Sequence, residues 1–175
     1  DKGLAESTAG QDLALLSWHP AEGKFLVVRR PAGEPPSAYV RMDRTTPVWQ
    51  LLEGWQPRAG FFRWSGPSAR AALTRPEGAR RFELVVNAGP SYIQYVRRGE
   101  VDVLLNGQPI GHAEFTREGW QTVSFDLAPA PPGPVEVTFR ARPEIRTGPD
   151  NKLVFGAPIG AFGFVTAPSG RGARS

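Results

Sequence analysis

The chain has 175 residues, enough for one domain with a sizeable core and too few for two full ones. Its 20 Gly and 18 Pro disfavour long helices, because Gly costs backbone entropy and Pro removes a donor; zero Cys excludes a disulfide framework and thiolate metal sites. The net charge of +4 is spread over single and paired arginines with acids between them, not gathered into a basic stripe with interleaved aromatics, so no nucleic-acid partner is expected.

Residues 1–20 form an ill-defined segment in which LALLSW reads as a strand or as one helical turn, ended in either case by Pro20. KFLVVRR, from Lys24 to Arg30, is a strand, and Ala38 to Met42 is a candidate second one. TTPVWQLLEGW predicts a short helix. Thr46 suits its N-cap, Pro47 its first position and Gly54 its stop, and Val48, Leu51, Leu52 and Trp55 share one helical face. Strands follow at Phe61 to Ser65, Ala69 to Thr74 and Arg80 to Asn87.

The clearest pair comes next. Asn106-Gly107 stands between EVDVLL and QPIGHAEF, and Asn-Gly is the preferred occupant of a type I′ hairpin turn because both residues accept positive φ. Alternation then puts Val101, Val103 and Leu105 on one face. In the strand from Trp120 to Leu127, Val123, Phe125 and Leu127 point one way; Trp120, Thr122, Ser124 and Asp126 point the other. After the PAPPGP linker, Val135, Val137 and Phe139 alternate with polar residues. Leu153 to Phe155 and Ile159 to Val165 close the chain, ahead of a tail at 168–175 expected to be disordered.

About nine or ten short strands, with at most one or two short helices and no long repeat, predict an all-β fold: a single antiparallel β-sandwich or jelly roll over 21–167. No apolar run reaches the length of a membrane span, roughly 18 residues. The chain starts at Asp1 without an initiator Met or signal pattern, and is read as an excised or processed fragment.

Catalytic machinery is missing from the pattern. His19 and His112 belong to no spaced metal motif, and Ser65 and Ser68 stand in no nucleophile elbow. Asp102, Glu114, Asp126 and Glu136, the acids to weigh for glycoside hydrolysis, are each the polar partner in an apolar alternation. Asp150 and Asn151, in the loop GPDNK, offer hard oxygen ligands for a structural Ca²⁺ as the one cofactor considered. Aromatics carry more. Trp55, Trp64 and Trp120 stand beside glycine or polar residues near strand ends, where an indole stacks on the apolar face of a sugar and Arg63 takes its hydroxyls. Trp120 is the sharpest case, being the large aromatic on a polar face.

LEGWQPRAGFFRWSGPSARAAL, VLLNGQPIG, GWQTVSFDL and DNKLVFGAPIGAFGF together resemble a known pattern over roughly residues 50 to 165. The carrying residues are Gly54-Trp55, Phe62 to Trp64, Asn106-Gly107 and Asp150. The resemblance is to the extracytoplasmic, galactose-binding-like β-sandwich domain beside the multi-spanning region of some bacterial membrane glycosyltransferases. Where that pattern has an acid after Gly-Trp, this chain has Gln56, Pro57 and Arg58. The resemblance implies a periplasmic or cell-surface accessory domain, tethered through a parent membrane protein and in contact with a glycan or lipid-linked sugar, and it transfers no catalytic residue. The expected function is therefore a non-catalytic carbohydrate-binding module. The alternative is a structural or protein-docking domain without a sugar ligand, and glycoside hydrolysis is the weakest of the three.

Overall fold

The computed structural model describes residues 33–166 in full and, ahead of them, the backbone of two strands; the predicted tail at 168–175 lies outside the described residues. The two early strands, β1 (Leu13–His19) and β2 (Lys24–Arg29), form an antiparallel hairpin. LALLSW is thus part of a strand.

The remaining strands are β3 (Tyr39–Arg41), β4 (Leu51–Ala59), β5 (Phe62–Arg75), β6 (Arg81–Ala88), β7 (Gly99–Leu105), β8 (Gln108–Phe115), β9 (Gly119–Asp126), β10 (Gly133–Arg142), β11 (Ile145–Thr147), β12 (Leu153–Phe155) and β13 (Pro158–Val165). Among the described residues one α-helix, α1 (Pro90–Val96), joins β6 to β7; Gly89 is its N-cap and Pro90 occupies its first turn, where a missing N–H costs nothing. Short 3-10 turns cover Val48–Gln50 and Pro149–Asn151.

The main sheet runs β8-β7-β10-β5-β13-β6-β9, with β4 on β5 and β3 on β13, and every pairing is antiparallel. It folds over at β5. The C-terminal half of that 14-residue strand pairs with β10, while Arg63 and Trp64 pair with Ile159 and Pro158 of β13. Two layers result, β8-β7-β10-β5-β4 and β3-β13-β6-β9; the β4–β5 and β7–β8 hairpins stay within the first, and the other connections between β3 and β10 cross from one layer to the other in the manner of a jelly roll. The fold class is the predicted one, an antiparallel β-sandwich.

Aromatic rings lock the layers together. Phe139 of β10 meets Phe162 of β13 edge to face at 4.8 Å, and Trp55 of β4 stacks on Phe162 at 5.6 Å. The outer strands close the other side: Phe125 of β9 lies so near Gly111 of β8 that a Cβ there would sit 2.0 Å from the ring. The hairpin forms at the predicted turn, but a bulge opposite Val103 and Leu104 shifts its register, and Leu104, expected on the other face with Asp102, is buried as well. Asn106 (φ 47°) and Gly107 (φ 79°) turn the chain, and Val101, Val103 and Leu105 are buried.

The predicted helix at Thr46 to Trp55 does not form beyond one 3-10 turn. Leu51 and Trp55 are buried, but as members of β4 paired across to Ala71 and Ser65 of β5. Thr46 caps nothing; its hydroxyl donates to the Arg41 and Asp43 carbonyls. Nor does Gly54 end a helix. At φ +75° it bulges β4 where that strand crosses Ser68. Tertiary pairing overrides local propensity here, since a nine-residue strand hydrogen-bonded along β5 satisfies more backbone than two isolated helical turns.

Candidate functional site

The outward face of the β3-β13-β6-β9 layer carries a concave aromatic site. Its floor is small, Gly160 and Ala161 of β13 with Val85 of β6, because a bulge between Ile159 and Ala161 leaves these two small residues together on the outward side while Ile159 and Phe162 face the core. One wall is Trp120 of β9, paired with Asn87 of β6 and 54% exposed. Gly160 makes room for that indole: a Cβ on it would come within 2.2 Å of Cζ3. The opposite wall comes from Tyr39, Arg41, Met42 and Asp43, and Phe61 reaches over from the β4–β5 turn, 72% exposed. The cleft encloses 240 Å³.

Its polar groups are held in place. The guanidinium of Arg41 lies over the Tyr39 ring at 5.4 Å, a cation–π arrangement that fixes both side chains. The Asp43 carboxylate accepts from the Thr45 hydroxyl at 2.6 Å and from its backbone N–H at 2.7 Å, and these bonds lower its pKa below the usual carboxylate range. Burial raises the Tyr39 phenol, with Glu83 adding to the effect, so that group stays a neutral donor. Among the described residues Asp43 is the only carboxylate lining the cleft, so the paired carboxyls of glycoside hydrolysis are not built here. Exposed rings beside one acceptor, Asp43, and two donors, Arg41 and Tyr39, suit a sugar, whose C–H faces stack while its hydroxyls are bound.

The sequence-predicted residues separate. Trp120 is the exposed wall of this cleft. Trp64 opens into a second cleft, of 300 Å³, lined also by Ser91, Tyr92, Tyr95, Arg146, Thr147 and Phe155. Trp55 belongs to the core, 4% exposed, its Nε1–H donating to the Arg70 carbonyl at 2.7 Å; a ring so enclosed offers no face to a ligand. Arg63 lines neither cleft. It points away from Trp64, as its neighbour in a strand must, and donates to the Gln56 carbonyl at 3.1 Å; burial and the charge of Arg58 lower its pKa. Tyr39, Arg41 and Phe61 escaped the sequence reading. Their signals were an aromatic at the tip of the β4–β5 turn and a three-residue strand, neither informative without the β13–β3 pairing.

Asp150 and Asn151 do not make a calcium cage. Both have positive φ in an exposed turn, and the Asp150 carboxylate faces the Lys152 ammonium at 3.1 Å. Among the described residues one group of three potential ligands has donor atoms within 4.8 Å of each other, Glu100, His112 and Glu114 on the outer face of the first layer. Cations already occupy it: Arg98 pairs with Glu100 and Glu114, and Arg142 with Glu100 and Asp102.

His112 is the titrating member of that network. Its Nδ1 lies 2.7 Å from the Asp102 carboxylate, and this hydrogen bond, more than any other influence, raises its pKa above 6.5. A raised folded-state pKa stabilises the protein fully below the unfolded value near 6.5, and that contribution is lost as pH climbs through the folded value. The imidazole is 41% exposed, so the effect on stability is small. Following the ring protons by NMR, His112 titrates above 6.5 and Asp102→Asn brings it down toward the ordinary value; an unchanged titration in that variant contradicts the assignment.

No protein-family model matches the chain, and no curated protein is similar to it in sequence. Solved structures with a similar fold include the CBM36-1 domain of a multidomain xylanase from the hindgut metagenome of Trinervitermes trinervoides. That domain has 12% identity over 58% of this chain and 72% of its own, with a TM-score of 0.39. A family 35 carbohydrate binding module from an environmental isolate has 18% identity over 58% of this chain and 66% of its own, with a TM-score of 0.40. An exo-β-1,3-galactanase from Phanerochaete chrysosporium, crystallised with β-1,3-galactotriose, has 13% identity and a TM-score of 0.40. The match covers 85% of this chain but 32% of the enzyme. Likeness at this level assigns no activity.

Proposed function

We propose that the chain is a non-catalytic carbohydrate-binding accessory module, with its ligand seated in the Trp120 cleft. The observation that carries this reading is the exposed Trp120 indole, held over Gly160 and facing Tyr39, Arg41 and Phe61 across a small concave floor. A docking domain without a sugar ligand calls for an apolar patch lacking any concave aromatic site, and the cleft favours the saccharide over it.

Xylotriose and β-1,3-galactotriose, each present in a solved structure of similar fold, are the first probes. In titration calorimetry at least one binds, and Trp120→Ala weakens it about tenfold, as befits the loss of one stacking ring. The melting temperature stays unchanged because the ring is mostly in water. Silence with both trisaccharides and across a glycan array overturns the reading.

The sequence resemblance over residues 50 to 165 supports two extensions of it. One is an extracytoplasmic location, periplasmic or cell-surface, tethered through a parent membrane protein such as a glycosyltransferase. The other is a lipid-linked sugar among the ligands. Fractionation of the full-length gene product tests the location.

A further inference from the structure

β13 brings the backbones under the two aromatic clefts close together. Trp64 pairs directly with Pro158 at the start of β13, and residues opposed in an antiparallel pair present their side chains on one face. Gly160, two residues further along the same strand, underlies the Trp120 ring. Two strand residues advance at most roughly 7 Å, and less where β13 bulges between Ile159 and Ala161. A second connection ties the clefts from the other side. Asn87 is paired with Trp120, and the chain then runs through Ala88 and Gly89 into α1, where Ser91, Tyr92 and Tyr95 line the Trp64 cleft.

Neither cleft is large. At 240 and 300 Å³ each lies at or below the small end of ligand pockets, about 300 Å³, so one sugar ring fills either. Both offer the same chemistry, exposed rings with a few polar groups. In the second, Trp64 meets Tyr92 at 5.7 Å and Phe155 at 5.6 Å, and is thereby braced; Tyr95 stands 61% exposed beside it. Ser91 and Thr147 supply hydroxyls there, and Arg146, fixed by Glu144 at 2.7 Å, supplies a cation.

Resting on the saccharide reading of the Trp120 cleft, we infer that the two clefts are subsites of one platform, and that its ligand is a linear oligosaccharide laid across the start of β13 rather than a single sugar. Joining two weak sites through one ligand raises affinity without any new contact at either, because the second engagement is intramolecular.

The test compares mono-, tri- and hexasaccharides of the xylose or β-1,3-galactose series, whichever binds, by titration calorimetry against the intact chain. The hexasaccharide binds about tenfold or more tightly than the monosaccharide. Tyr95→Ala, chosen because that ring is exposed whereas Trp64 also packs against the core, removes most of the gain of the hexasaccharide over the monosaccharide. Trp120→Ala weakens every member. If Tyr95→Ala leaves hexasaccharide affinity unchanged, or if the monosaccharide binds as tightly as the hexasaccharide, the platform is wrong and the Trp120 site stands. If no member of either series binds, both fall together.

Discussion

Trp55→Ala lowers the unfolding free energy by about 3–5 kcal/mol, the range for removing a buried aromatic from a packed core. The indole bridges the two layers, stacked on Phe162 at 5.6 Å with an interplanar angle of 14° and set edge-on to Phe139 at 5.9 Å. Its removal opens a cavity between β4, β10 and β13, and the surrounding strands cannot collapse into it because each is fixed in register by its neighbours. Thermal unfolding falls by about 10 °C. Trp55→Phe keeps much of the ring but loses the hydrogen bond to the Arg70 carbonyl, and so costs less, about 1–2 kcal/mol. A melting temperature unaffected by Trp55→Ala would place that ring outside the core.

Gly54→Ala is the companion experiment, of similar size and different origin. At φ +75° an alanine carries about 1–2 kcal/mol of left-handed strain. More seriously, its Cβ would sit 2.0 Å from the Ser68 carbonyl oxygen and 2.8 Å from the Ala69 Cα, both backbone atoms of the paired strand. The sheet must part there, disturbing the pairing of β4 with β5 and the seating of Trp55 beside it. We expect about 3 kcal/mol or more in denaturant unfolding. Gly60→Ala is the control. It has φ +67° with nothing within 4 Å, so it carries the strain alone. Equal losses in the two variants would show that the close approach at Ser68 contributes nothing.

These neighbouring residues show where sequence reasoning stopped. The apolar spacing of Val48, Leu51, Leu52 and Trp55 fits a helical face, and Gly54 fits a helix stop; the same residues serve equally as a bulged strand. Local pattern does not choose between them. The choice falls to β5, 14 residues long, which offers β4 a hydrogen-bonding edge and a place for the indole between the layers. α1 was missed for the converse reason. At seven residues it has too few turns to leave a periodic signature.

The site divides along the same line. Trp120 was legible because a strict alternation from Phe125 back to Trp120 leaves one large ring on the polar face, and period-two geometry alone puts it outside. Trp64 was legible as a residue near a strand end, but not its separation from Trp120 or its enclosure by Tyr92 and Phe155. Arg63 was assigned to the wrong side, although alternation with Trp64 already opposed the two.

What the sequence by itself determined is the all-β class, the place of the Asn106-Gly107 turn, and the outward placement of Trp120. All three follow from chain-local physics: turn residues that accept positive φ, and side chains that alternate at every step of a strand. Tertiary structure alone decided that Trp55 is core, that Tyr39, Arg41 and Phe61 gather opposite Trp120, and that Trp64 looks into a neighbouring cleft. Those outcomes depend on which strands lie side by side across long stretches of sequence, and pairing of that kind is chosen by the packing of the whole sandwich rather than by any segment within it.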